Sequence, residues 1–125
     1  MTMADLPAET SADGVPDDLL ALSARTDERG AVTVTALGEV DSFTAPRFRS
    51  VLDAEVQRRP PELVVDLSGV HFLASAGLTV LVEIHESARA HDVALRLVAT
   101  TRAVTGALRV TGLIDMFTVT GDARR

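Results

Sequence analysis

Val64-Val65-Asp66-Leu67-Ser68-Gly69-Val70-His71-Phe72-Leu73-Ala74-Ser75-Ala76-Gly77-Leu78 is the stretch that decides the fold. Leu63 to Leu67 is a short, mostly apolar run closed by Ser68 and Gly69, the pattern of a strand covered on both faces and followed by a turn. From Ala76 onward the apolar residues take up a helical period, which leaves Ser75 at or next to the N-cap. A serine there has two readings. Its hydroxyl accepts a bond from an orphan N–H of the first turn and acts as a structural cap. Alternatively it is a phosphorylation site, whose dianion a helix N-terminus tolerates.

On either side the chain reads as alternating strands and helices. Leu19 to Arg25 is a first strand, Asp27-Glu28-Arg29-Gly30 a turn, and Val32 to Leu37 a second strand in which Val and Thr alternate. Thr44 then caps a helix with Pro46 in its first turn and Phe48, Val51 and Leu52 on one face. Arg58 and Arg59 lie at its C-terminal end, where the dipole favours cations, and Pro60-Pro61 stops it. After the helix from about Ala76 to His91 come a strand from Val93 to Val98, a helix from about Arg102 to Val110, a Gly112 cap and a last strand from Met116 to Val119. This order predicts an α/β fold, a mixed, mostly parallel β-sheet with helices packed against it.

The helix after Ser75 carries an apolar arc of about 200°, wider than packing on one sheet face usually requires. That width fits a well-buried helix. It also fits a helix whose first turn, with Gly77 and Leu78, leaves an apolar edge beside Ser75 for a partner to cover. His85, within the arc, reads as a core residue.

Composition narrows the function. With 125 residues there is room for one core. No cysteine is present, which removes disulfides and thiolate chemistry. No apolar run approaches the roughly 20 residues of a membrane span, and the N-terminus lacks the basic and apolar regions of a secretory signal; a cytoplasmic location is the expectation. Residues 1–18 hold Asp5, Glu9, Asp13, Asp17 and Asp18 and no arginine, and are expected to form a flexible acidic leader. The folded domain is expected over 19–120, with a short tail at 121–125. No lysine, tryptophan or tyrosine occurs, so neither a basic face nor a stacking platform for nucleic acid is expected. His71, His85 and His91 sit in no metal-ligand motif, and no nucleophile elbow or phosphate-cradling loop is present. Glu39 and Asp41 are paired carboxylates on an expected loop, open to acid/base work or to a solvated turn. An enzyme, a metal and a cofactor are not expected.

Three blocks carry a resemblance. Asp66, Leu67, Ser68, Val70, Phe72, Ser75, Gly77 and Leu78 fall in register on the pattern D-L-S-x-V-x-F-x-D-S-[ST]-G-L. Leu37-Gly38-Glu39-Val40-Asp41-Ser42-Phe43-Thr44-Ala45 is similar to G-E-[LV]-D-x-x-[ST]-A, and Thr111-Gly112-Leu113-Ile114-Asp115-Met116-Phe117 to T-G-L-x-x-x-F. In this order and spacing they resemble the STAS domain of anti-sigma factor antagonists. The resemblance implies that Ser75 is the phosphorylated residue and that Glu39, Asp41, Ser42, Phe72, Ala74, Gly77 and Leu78 meet a partner. That partner would be an anti-sigma factor with a serine kinase fold, and a protein phosphatase would reverse the modification. Two positions depart from the pattern: Ala74 replaces the signature aspartate and Ala76 the second hydroxyl residue. Ala74 removes a negative charge beside a would-be phosphate and a group that could orient the serine. The alternative is a non-catalytic STAS subunit of a stress-sensing or transporter assembly, with Ser75 as a helix cap. A module binding a nucleotide or lipid finds no supporting residue.

Overall fold

The computed structural model describes residues 19–121; the expected leader at 1–18, and all of the expected tail except Gly121, lie outside them. Five strands form one sheet in the order β1-β2-β3-β4-β5: β1 Leu20–Thr26, β2 Val32–Val40, β3 Glu62–Leu73, β4 Ala94–Val98 and β5 Thr118–Thr120. β1 and β2 pair antiparallel as a hairpin, and the remaining pairs are parallel. The hairpin turn is closed by Asp27, whose Oδ1 accepts from the amides of Arg29 and Ala31 at 2.8 and 3.0 Å. Each parallel pair is joined through a helix, as parallel pairing demands: α1 Ala45–Gln57, α2 Ser75–Ala90 and α3 Arg102–Val110. A single 3₁₀ turn, Leu113–Asp115, separates α3 from β5. Gly112 supports that change of direction with a left-handed φ of 77°, its amide donating to the Arg109 carbonyl at 3.0 Å.

One core holds this together. Val34, Ala36 and Val40 of β2 meet Leu63, Val65, Leu67 and Val70 of β3, Phe48, Leu52 and Val56 of α1, Leu81 and Ile84 of α2, and Val104 and Leu108 of α3. The opposite face of the sheet is more polar. There the register aligns Thr33, Val64, Arg96 and Thr118 in one cross-strand row. Arg96 is buried, its Nε donating to Glu62 Oε2 at 3.2 Å and its Nη1 to Thr120 Oγ1 at 3.0 Å, so it joins three strands at one point.

The largest difference from the sequence reading lies in β3. Ser68 and Gly69 do not end the strand; it runs on to Leu73, paired with β2 throughout. Two bulges explain why the strand is hard to read. Thr35 pairs with Asp66 but Leu37 with Gly69, and Gly38 pairs with Val70 but Glu39 with Phe72, so β3 carries an extra residue at each point. The bulges shift the inward positions to Leu67, Val70 and Leu73, a spacing of three rather than two. Asp66 shapes the first bulge by accepting from the Ser68 amide and hydroxyl at 3.0 and 2.7 Å. β2 likewise reaches Val40, which puts Glu39 in a strand and not on a loop.

Smaller corrections follow from end effects. The last strand begins at Thr118, because Met116 closes the 3₁₀ turn. Arg58 is the C-cap of α1 and Arg59 lies beyond it with a φ of 55°, so neither is in the last helical turn. Thr44 is the N-cap of α1 but its side chain makes no capping bond.

Candidate functional site

Because β2 and β3 are parallel and paired to their last residues, both deliver their C-terminal ends to the same edge. Val40 is the register partner of Leu73, and the Ala74 amide donates to the Val40 carbonyl at 2.8 Å. The Asp41 turn and the start of α2 therefore emerge side by side, at the C-terminal end of a parallel sheet, where α/β folds commonly place their sites.

The Asp41 turn is built from its own side chains. Asp41 Oδ1 accepts from the amides of Phe43 and Thr44 at 2.9 and 3.1 Å. The Thr44 hydroxyl donates to the Glu39 carbonyl at 3.0 Å and accepts from the Asp41 amide at 2.9 Å. Thr44 is fully buried. Asp41 thus holds the two amides that precede α1, and its role within the fold is to shape this loop. Ser42 is exposed beside it.

Ser75 is the first residue of α2 and is exposed, while Ala74, in an extended conformation, occupies the N-cap. The expected capping role of Ser75 is therefore corrected. A side chain caps from the N-cap position, that position is alanine, and no side-chain capping bond is present. The first turn also lacks an acidic residue, so the positive end of the helix dipole meets no side-chain charge from its own turn.

The remaining expected contact residues separate into two groups. Phe72 is 49 % exposed and Glu39 half-buried, its Oε2 3.5 Å from His71 Nε2. Gly77 and Leu78 are buried. A Cβ at Gly77 would lie 2.6 Å from both Leu73 Cδ1 and Val40 Cγ1, so glycine is what lets α2 approach the ends of β2 and β3. Leu78 still reaches the surface as part of an apolar groove of about 330 Å³ that starts at Ser75 and runs between α2 and the segment after α3, with Val82, Thr111 and Leu113 in its walls. The sequence reading left open an apolar edge of Gly77 and Leu78 beside Ser75; of the two only Leu78 lines the groove, and Thr111 and Leu113, which only the tertiary fold brings there, were not named. It also missed Phe43, 71 % exposed; an apolar residue standing outside every periodic face was its signal.

Among the described residues, no group of three or more histidine and carboxylate side chains is placed to hold a metal ion, and no helix is long and apolar enough to cross a membrane.

Comparison with known proteins agrees with this architecture. The STAS domain model matches residues 23–123. An anti-sigma factor antagonist from Mycobacterium paratuberculosis superposes with a TM-score of 0.79 at 31% identity, covering 87% of this chain and 92% of that one. The anti-sigma-F factor antagonist RsfB of Mycobacterium tuberculosis is 38% identical over 55 residues, 44% of this chain and 45% of the relative, so that match spans less than half its length. The anti-sigma-B factor antagonist of Listeria monocytogenes is 27% identical over 88 residues, 70% of this chain and 77% of the relative. With the STAS domain model matched over residues 23–123 and a mixed, mostly parallel five-stranded sheet joined through three helices, the chain belongs to the STAS domain family.

Proposed function

We propose that this chain is an anti-sigma factor antagonist. In its unmodified form it binds an anti-sigma factor with a serine kinase fold and so frees a sigma factor. That partner transfers the γ-phosphoryl group of ATP to Ser75 Oγ, releasing ADP and a proton, and the phosphorylated chain lets go. A protein phosphatase returns it to the binding form. The chain is substrate and switch, and catalysis belongs to its partners. The names of its relatives support the antagonist role. The observation that carries the switch is the position of Ser75: exposed at the first residue of α2, between the Asp41 turn and an apolar groove, with no capping task to occupy it.

The physics of release is simple. A phosphate adds about −1.5 to −2 charge and must stay solvated or be paired. At the centre of a tight interface it is neither, and an unpaired buried charge costs several kcal/mol. The free domain has the opposite preference, because the uncapped N-terminus of α2 favours a negative charge. Modification therefore opposes the complex without opposing the fold.

The test is to incubate the chain with kinase-fold anti-sigma factors and ATP, then to map incorporated phosphate by mass spectrometry. One phosphate on Ser75, and loss of the complex once it is present, is the expected result. Phosphate incorporated at unchanged stoichiometry in Ser75→Ala would rule out this site.

A further inference from the structure

Resting on the proposed function, we propose that Phe43 is an aromatic anchor through which the chain recognises its anti-sigma factor, its ring entering an apolar pocket with a basic rim on that partner. The chain has four phenylalanines and no tryptophan or tyrosine. Phe48 and Phe117 are buried in the core, whereas Phe43 and Phe72 are 71 % and 49 % exposed. Both exposed rings belong to the segments that form the Ser75 end of the sheet: Phe43 follows Asp41, and Phe72 is the register partner of Glu39.

The loop that carries Phe43 is rigid for reasons unrelated to the ring. Its backbone is held by Asp41 and the buried Thr44 hydroxyl, so the ring is carried on an ordered turn that does not depend on it. A ring presented in this way loses little freedom on binding, and buried aromatic anchors carry a large share of interface energy. Charge identifies the surroundings of the pocket. Residues 39–46 and 70–78, which form this end, carry Glu39 and Asp41 and no lysine or arginine, with His71 Nε2 3.5 Å from Glu39 Oε2. Arg47, the nearest arginine after the turn, donates to the Leu20 carbonyl. A partner that covers this end therefore needs cationic side chains around the pocket that takes the ring.

The experiment uses the anti-sigma factor that phosphorylates Ser75 as the probe. With 4-fluorophenylalanine incorporated, four ¹⁹F resonances report the four rings. On titration the Phe43 and Phe72 resonances should shift and broaden, while those of Phe48 and Phe117 hold their positions. Phe43→Ser should lower affinity at least about tenfold with an unchanged melting temperature, and Phe43→Leu should recover most of it. Wild-type affinity in Phe43→Ser, with Ser75 still phosphorylated, overturns the anchor and leaves the proposed function standing. A wild-type chain that neither binds nor is phosphorylated by any such factor overturns both. Light scattering covers the remaining occupant: if Phe43→Ser converts a dimer into a monomer, the ring serves a second copy of this chain and the anchor is overturned.

Discussion

At residue scale the questions converge on Ser75 and its neighbour. In many helices a serine near the N-terminus is held in place by its capping bond, and its removal costs about 1 kcal/mol. Here the N-cap is Ala74 and Ser75 is the first helical residue, exposed and without a capping task. Ser75→Ala should therefore change stability by less than about 0.5 kcal/mol, as measured by denaturant unfolding, while abolishing phosphorylation. Ser75→Asp tests the opposite pole. It brings an acidic side chain to a first turn that has none, and the dipole should favour it by a few tenths to about 1 kcal/mol. The melting temperature should hold or rise, yet affinity for the kinase-fold partner should drop about tenfold or more, since about 1.4 kcal/mol of interfacial penalty suffices. A mimic that binds as tightly as wild type would overturn Ser75 as the switch. Position 74 has a matching logic. An aspartate there would be able to cap the helix, so Ala74 leaves the N-terminus of α2 with more to gain from a phosphate than an aspartate-capped helix has.

At the scale of elements, the start of α2 depends on how closely it meets the two strand ends. Gly77→Ala would force a methyl group to within 2.6 Å of Leu73 Cδ1 and Val40 Cγ1. Overpacking of that kind costs about 1–3 kcal/mol. The loss should appear as a lower unfolding midpoint, and the shift of α2 should also weaken partner binding even though Gly77 is out of a partner's reach. Asp66→Ala should remove two bonds from the first bulge and cost about 1–2 kcal/mol, measurable in the same way. These contacts also mark how far the sequence could be read. Helix and strand order was legible where an apolar period runs to a clear stop, as α1 does at Pro60-Pro61, the β1–β2 turn at Gly30 and α3 at Gly112. β3 was not legible beyond Leu67, since each bulge breaks the alternation that identifies a strand and Ser68-Gly69 imitates a turn. Asp41, Ser42 and Ser75 could be gathered from their motifs. Thr111 and Leu113 could not, as their place in the groove depends on how the segment after α3 returns across α2.

For the whole molecule, the decisive property is that Ser75, the proposed switch, stands at one end of a sheet whose centre is close-packed. Val34, Val65 and Leu97 lie side by side on the three inner strands with no solvent exposure, and close-packed interiors of this kind resist gradual deformation. Nothing in that centre needs to change when Ser75 gains a charge, because the added group meets solvent and the open N-terminus of α2. The two outcomes can be told apart. If modification acted by refolding the domain, amide exchange would accelerate across β2, β3 and β4. A local electrostatic switch leaves those rates alone. Comparing wild type with Ser75→Asp by amide NMR, chemical-shift changes should concentrate in the Asp41 turn, the first two turns of α2 and the groove wall around Thr111 to Leu113. Exchange at Val34, Val65 and Leu97 should remain as slow as in the unmodified chain. Faster exchange at those three amides, with the melting temperature unchanged, would mean that the charge reaches partner binding through the body of the sheet rather than at its edge.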